Sequence, residues 1–188
     1  MALDQYYLLG RSGLRVSRLA LGTMNFGTSG YHASYGKTAD ECRPILHHYL
    51  DAGGNFIDTA DFYTDGDSEN ILGELLSRSG IRDRVVLTTK FTNGMVPGDP
   101  NGGGNGRKHM MRALDESLRR LRTEYIDLYL LHSWDRLTPV EEVMSTFDDL
   151  VRAGKIRYAG ISDTPAWYAA QAQTFAQANN LTPLINLQ

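Results

Sequence analysis

Residues 85–90 read Val-Val-Leu-Thr-Thr-Lys, a short apolar run that ends on a lysine. Two further runs share this design: residues 55–58 read Asn-Phe-Ile-Asp, and residues 126–132 read Ile-Asp-Leu-Tyr-Leu-Leu-His. Each has the length and composition of a buried strand, and each is followed by a loop and a helical pattern. This alternation indicates parallel strands joined by crossover helices. Because the carboxyl ends of such strands meet at one rim of a barrel, the three polar ends should converge there.

The candidate catalytic residues at this rim are Asp58, Tyr63, Lys90 and His132. Tyr63 lies on the loop after Asp58, and a free phenol has a pKa near 10, too high to release a proton readily at neutral pH. The Lys90 ammonium, which Asp58 would hold charged and in place, is expected to lower that pKa. His132 would hydrogen-bond a carbonyl oxygen and share in proton delivery. The alternative is a structural Asp58–Lys90 ion pair beside a core histidine, but four such residues at strand ends favour a site.

The rest of the chain repeats the strand–helix unit at spacings of about 30 to 40 residues, close to the size of a βα unit. Residues 6–9 and 14–19 predict a two-stranded hairpin before the first unit. We therefore expect an α/β fold, a (β/α)8 TIM barrel with an N-terminal β-hairpin and about six of its eight units, as one domain over residues 1–188. The barrel strands are expected at residues 19–21 and near Asn55, Val85, Ile126, Ile156 and Leu184.

Threonines mark three predicted helix starts. Thr38 precedes Glu41 with the spacing of a capping box, in which each side chain satisfies a free backbone N–H. The sequence Thr-Pro-Val-Glu at residues 138–141 repeats that spacing, with proline at the first helical position. Thr164-Pro165 is expected to begin a further helix.

The composition is that of a soluble globular domain, with 41% hydrophobic and 22% charged residues and a net charge of −3. A mild negative charge argues against non-specific nucleic-acid binding, which depends on lysine and arginine. Arg119, Arg120 and Arg122 lie among acids on one helix and are expected to form a solvated face. The apolar runs are too short for a bilayer span and no signal peptide is visible, so we expect a cytoplasmic protein without a membrane partner.

The single cysteine and the histidines other than His132 carry no predicted chemistry. Cys42 cannot form an internal disulfide, and its apolar helical face favours packing. The other histidines lack ligand spacing, so no metal site is predicted. Residues 93–106 are rich in glycine but lack the spacing of a phosphate-binding loop. We interpret them as a rim loop that shapes a substrate pocket.

The sequence around these residues resembles that of the aldo-keto reductase family over almost the whole chain. The resemblance implies NAD(P)H-dependent reduction of aldehydes or ketones to alcohols, with Tyr63 as the proton donor and the hairpin at the bottom of the barrel. The matching stretches are Leu19-Ala-Leu-Gly-Thr-Met-Asn-Phe-Gly27, Phe56-Ile-Asp-Thr-Ala-Asp-Phe-Tyr63, Gly73 after Ser68-Glu69, Leu118-Arg-Arg-Leu121, Tyr125-Ile-Asp-Leu-Tyr129 and Gly154-Lys-Ile-Arg-Tyr-Ala-Gly-Ile-Ser162.

The resemblance also implies contacts to a nicotinamide cofactor. Thr23 and Met24 match backbone-contact positions near the nicotinamide ribose. Ser162 and Asp163 match the Ser-Asn pair that usually holds the carboxamide, although an ionised Asp can accept but not donate a hydrogen bond. Gln188 matches the glutamine that completes the carboxamide site.

Two further roles follow from the same resemblance. Asp58 is expected to contact the cofactor as well as Lys90, and Trp134 is expected to form an aromatic wall for a small carbonyl substrate. NADP(H) is the expected cofactor by analogy, with NAD(H) as the alternative, because the family binds the cofactor's phosphates through the last two strands.

The strand–helix pattern of this sequence has fewer units than a complete barrel, which usually needs about 250 residues. The domain is therefore expected to be incomplete at its C-terminal end and to take its remaining strands from the same chain or from another. Two other interpretations stay open. One is a cofactor-binding regulatory subunit with little turnover, and the other is an inactive truncated fragment.

Overall fold

The computed structural model describes residues 2–188 and has two sheets. The hairpin is the antiparallel pair β1 (Tyr6–Leu8) and β2 (Arg15–Ser17). The second sheet has six parallel strands in chain order: β3 (Leu21–Gly22), β4 (Phe56–Asp58), β5 (Val86–Phe91), β6 (Ile126–Leu131), β7 (Ile156–Ile161) and β8 (Leu184–Leu187).

One helix follows each of the first five strands of this sheet. The helices are α1 (Ala39–Asp51), α2 (Asp67–Ser79), α3 (Arg107–Leu121), α4 (Val140–Arg152) and α5 (Ala166–Ala178). The predicted fold class is thereby confirmed. The first barrel strand is displaced from its prediction, because Leu19 is 54% exposed and the ladder to β4 begins only at Leu21.

The core lies between the sheet and the helices. Every residue of β5 is buried, as expected for a parallel strand covered on both faces. Phe91 stacks on Tyr129 with ring centroids 5.1 Å apart, and Phe147 of α4 packs edge-on against Phe91 at 6.3 Å. These rings fix the position of α4 over β5 and β6.

Helix capping confirms one predicted start and corrects another. The Thr38 hydroxyl accepts from the Glu41 amide, and the Glu41 carboxylate accepts from the Thr38 amide, which completes the capping box of α1. Thr138 does not cap α4, because its hydroxyl donates to Asp135 at 2.6 Å. Asp135 also accepts from the Thr138 amide at 3.0 Å, and this loop contact replaces the cap.

The six strands curve around an interior, and the hairpin lies across their amino ends. Gln188, which follows β8, donates from Nε2 to Asp58 Oδ1 at the end of β4, at 3.2 Å. At the opposite end, Asn55 Oδ1 accepts from the Ser17 amide at 2.7 Å, and a Cβ on Gly10 would collide with the Ile185 carbonyl oxygen. The hairpin therefore contacts both sides of the arc, and the carboxyl-end rim carries the loops.

No helix within residues 2–188 combines the length and apolar character needed to span a membrane.

Candidate active site

The four predicted catalytic residues lie at the carboxyl-end rim. Asp58 ends β4, Lys90 is the second-last residue of β5, and His132 directly follows β6. Tyr63 begins a short 3-10 turn, Tyr63–Gly66, between β4 and α2. The structure thus brings together side chains that are far apart in sequence.

Lys90 is the centre of this group and is only 1% exposed. Its Nζ donates to Asp58 Oδ2 at 2.7 Å, to the Thr59 carbonyl at 2.8 Å and to the Tyr63 hydroxyl at 3.3 Å. An ammonium has three N–H donors, so these acceptors use all of them. Burial lowers the pKa of Lys90, and the charge of Asp58 opposes that change.

The expected effect on Tyr63 is wrong in direction. Burial, together with the charges of Asp58 and of Asp61 when that acid is ionised, raises the pKa of Tyr63 to about 12. The Lys90 ammonium does not overcome this, because its charge is already balanced by Asp58 at 2.7 Å. Tyr63 therefore keeps its proton throughout the neutral range.

His132 packs its ring against Phe62 and Tyr63, with centroid distances of 5.1 Å and 5.7 Å. Burial and, less strongly, the positive charge of Lys90 together lower the pKa of His132 to about 4. The imidazole is therefore neutral at neutral pH. That state suits hydrogen bonding to a carbonyl oxygen, whereas the expected share in proton delivery would need the imidazolium.

An unusual backbone turn places the phenol. Thr64 and Asp65, directly after Tyr63, have φ angles of 50° and 55°, and Gly66 has 90°. Two successive non-glycine residues in the left-handed conformation cost conformational free energy. They persist only where contacts with the surrounding structure stabilise that conformation. The Thr64 hydroxyl donates to the Phe26 carbonyl at 2.6 Å and supplies part of that hold. Sequence reasoning missed this turn, although Thr-Asp-Gly after Tyr63 is a turn signal.

The Thr23 side chain is bonded within the protein, and its predicted backbone contact to the cofactor stays a prediction. Its amide and its hydroxyl both donate to the Asp58 carbonyl, at 2.9 Å and 3.0 Å. Ser68 joins the Thr23 and Thr59 hydroxyls at 2.9 Å each. The Thr23 side chain is fully buried, whereas Met24 is 44% exposed.

A buried ion pair lies behind the site, where sequence reasoning expected solvent. Arg120 Nε donates to Glu69 Oε2 at 2.6 Å, and the Thr89 hydroxyl donates to Glu69 Oε1 at 2.6 Å. Glu69 is fully buried and the Arg120 side chain is 11% exposed, so the predicted solvated arginine face is wrong for Arg120. Helices α2 and α3 pack closely here, since a Cβ on Gly73 would collide with the Arg120 carbonyl.

The remaining predicted cofactor residues are neighbours at the ends of β7 and β8. The Asp163 amide donates to the Gln188 carbonyl at 3.2 Å, and the Gln188 amide donates to the Ile161 carbonyl at 3.0 Å. Ser162 is buried and Asp163 is exposed with φ 43°. The Gln188 side-chain amide bonds Asp58, and Ser162 and Asp163 add a hydroxyl and a carboxylate to the same end of the sheet.

Aromatic residues extend the rim beside His132. Trp134 lies edge-on to Trp167 at 5.0 Å and tilted against Tyr168 at 5.8 Å. Trp167, at the start of α5, is 55% exposed, and sequence reasoning did not identify it. Asn105 ties the predicted rim loop to this region, because its Nδ2 donates to the Ser133 carbonyl at 3.0 Å.

Within the part of the chain that the structure describes, no three or more His, Cys, Asp or Glu residues are grouped so that they could hold a metal ion.

The profile of the Aldo/keto reductase family matches residues 18–187. Norsolorinic acid reductase from Aspergillus flavus is 44% identical over 94% of this chain and 47% of its own length. Aryl-alcohol dehydrogenase [NADP(+)] from Phanerodontia chrysosporium is 38% identical over 92% of this chain and 47% of its own length. The chain spans about half the length of the curated relatives that it matches. The chain belongs to the aldo/keto reductase family.

Proposed function

We propose that this rim reduces an aldehyde or ketone to an alcohol with a nicotinamide cofactor, and that Tyr63 donates the proton. The observation that carries the proposal is the buried Lys90 ammonium, which bonds both the Asp58 carboxylate and the Tyr63 hydroxyl. General acid catalysis needs a protonated group positioned at the substrate oxygen. Tyr63 meets the first condition because burial raises its pKa to about 12.

Each member of the group has a separate role in this proposal. Asp58 fixes the Lys90 side chain. Lys90 donates to the phenol oxygen and so stabilises the negative charge that forms there when the proton leaves. Neutral His132 donates a hydrogen bond to the carbonyl oxygen and orients it.

The donor set at the ends of β7 and β8 fits a nicotinamide. A carboxamide needs both donors and acceptors, and Ser162, Asp163 and Gln188 together supply both. The reduced ring supplies the hydride when it is bound. We propose NADP(H) because the name of the Phanerodontia chrysosporium relative specifies NADP(+). NAD(H) is the alternative.

We propose a small aromatic carbonyl compound as the substrate. The names of the relatives refer to norsolorinic acid and to aryl alcohols. Trp134 is half-buried beside the exposed Trp167, and such surfaces stack well on flat rings.

We propose that further strands complete the barrel, from the same chain or from another. Strands β3 and β8 are the two edges of the six-strand sheet. The matched relatives are about twice as long as the part that aligns here. Edge strands carry unpaired backbone groups that favour pairing with additional strands.

The proposal is tested with the full-length protein, NADPH or NADH, and matched aromatic and aliphatic aldehydes and ketones. Cofactor oxidation is followed by absorbance, and cofactor binding by fluorescence. We expect turnover with NADPH and faster reduction of the aromatic members. Tight NADPH binding without turnover of any carbonyl would favour the regulatory-subunit alternative instead.

A further inference from the structure

Asp61 is a buried acid directly behind the catalytic loop. It is 1% exposed, and neither carboxylate oxygen has a hydrogen-bond partner among residues 2–188. Its backbone amide donates to the Lys90 carbonyl at 3.0 Å, so it is held against the strand that carries the ammonium. A buried charge without a partner is very unfavourable, and such a group usually becomes neutral instead.

Both cations that act on Asp61 are already paired with other acids. The groups that face it are Glu69 of α2, Arg120 of α3, Lys90 of β5, Tyr129 of β6 and, nearby in sequence, Tyr63. Arg120 is already bonded to Glu69 at 2.6 Å, and Lys90 to Asp58 at 2.7 Å. Asp61 is thus an additional acid beside the Glu69–Arg120 and Asp58–Lys90 ion pairs.

Burial and the charge of Glu69 raise the pKa of Asp61 well above its usual range. Arg120, the Phe62 amide and Lys90 act in the opposite direction but are weaker. The Phe62 amide does not reach hydrogen-bond geometry with either carboxylate oxygen. Geometry and electrostatics therefore agree that Asp61 retains its proton in the folded protein.

We propose that Asp61 carries a proton at neutral pH and controls the acidity of Tyr63, so that its ionisation at alkaline pH slows carbonyl reduction. Ionised Asp61 opposes the loss of the Tyr63 proton, because both sites would then be negative in a shared buried region. Asp61 acts through Tyr63 and is a positioning residue. Its ionisation releases one proton to solvent and changes no other bond.

The kinetic test rests on the proposed function and uses Asp61→Asn in the full-length protein. Asp65→Asn is the matched control, since Asp65 is exposed on the turn that directly follows Asp61 and Phe62. We expect Asp61→Asn to reduce carbonyls at about the parental kcat at neutral pH. Between about pH 7 and about pH 10 the ratio of variant to parental kcat should rise about threefold or more, because one pKa unit corresponds to a factor of ten in acidity. A ratio that does not change with pH would overturn the proposal.

A second measurement does not depend on activity. The pKa of Asp61 is about 3.9 in the unfolded chain and higher in the folded protein. Its contribution to the free energy of unfolding therefore decreases as pH rises from about 3.9 toward the folded pKa. Asn cannot ionise, so the urea midpoint of Asp61→Asn relative to the parent should increase from about pH 5 to about pH 9. A constant difference would overturn the proposal. If no carbonyl is reduced by any variant, the proposed function fails, while this unfolding comparison still decides the protonation of Asp61.

Glu69→Gln gives an independent check if Asp61→Asn does not fold. Removing the Glu69 charge frees Arg120 for Asp61 and removes a like charge, so Asp61 should ionise more easily. The alkaline decline in kcat should then move to lower pH. An unmoved decline, or a move to higher pH, would contradict the proposal.

Discussion

At the scale of single residues, the Asp58–Lys90 ion pair is expected to contribute both to stability and to the proposed chemistry. Lys90→Met leaves the Asp58 carboxylate without its partner, and breaking a buried ion pair costs about 3–5 kcal/mol of unfolding free energy. We expect that loss in urea unfolding, together with loss of turnover. The double variant Asp58→Asn/Lys90→Met should recover part of the stability but none of the turnover. If the Lys90→Met single variant and the double variant lose the same unfolding free energy, the two residues are not energetically coupled.

His132 gives a pH-dependent prediction. Its folded pKa of about 4 lies below the unfolded value of about 6.5. His132 therefore contributes its full stability above about pH 6.5, and that contribution decreases as pH falls toward about 4. The unfolding free energy of His132→Gln should fall less steeply over this range than that of the parent. Parallel curves would mean that His132 titrates normally in the folded protein.

Residue placement was predictable from sequence, but residue environment was not. Asp58, Lys90 and His132 follow from the positions of strand ends, since parallel strands present those ends at one rim. The pKa of Tyr63 and the burial of Arg120 depend on how much water the neighbouring helices exclude. The amount of excluded water depends on packing between segments that are distant in the sequence. The spacing of residues along the chain gives no information about that packing.

At the scale of secondary-structure elements, the α2–α3 contact holds Glu69 and Arg120 in place behind the rim. Gly73→Ala would push a methyl group into the Arg120 carbonyl, and forcing atoms into a packed interface typically costs about 1–3 kcal/mol. Asn70→Ala, on the exposed side of α2, is the control and should be neutral or slightly stabilising. Comparison of the two urea midpoints tests this. Equal midpoints would show that α2 can move away from α3.

Element boundaries were predictable where local chemistry decides them. The Thr38–Glu41 capping box forms as expected because its two partners lie on one turn. Thr138 has the same spacing but bonds Asp135, and the short first barrel strand begins at Leu21 and not at Leu19. In both cases a competing contact, to a neighbouring carboxylate or to the next strand, overrides the local pattern.

At the scale of the whole molecule, the open edges of β3 and β8 should control solubility. Residues 1–188 expressed alone are expected to associate, because edge strands and their apolar faces favour pairing between copies. We also expect no measurable NADPH binding by this segment. Sedimentation and a fluorescence titration check both points. A soluble monomer that binds NADPH at micromolar concentration would contradict this expectation.

The barrel topology was predictable because strand and helix alternate regularly along the sequence. The closeness of Gln188 to Asp58 was not, because it depends on how strongly six strands curve. That contact nevertheless places Gln188, one of the predicted carboxamide residues, beside Asp58 of the proposed catalytic group. Cofactor and catalytic residues can therefore act on one substrate only if the arc keeps this curvature.

The central claim, that Tyr63 donates the proton, is tested most directly by Tyr63→Phe in the full-length protein. Tyr7→Phe is the control, since Tyr7 is 50% exposed on the hairpin, away from the rim. We predict that Tyr63→Phe binds NADPH as the parent does and reduces a carbonyl substrate at least about two orders of magnitude more slowly, the usual scale of general acid catalysis. Reduction at the parental rate by Tyr63→Phe would contradict the assignment.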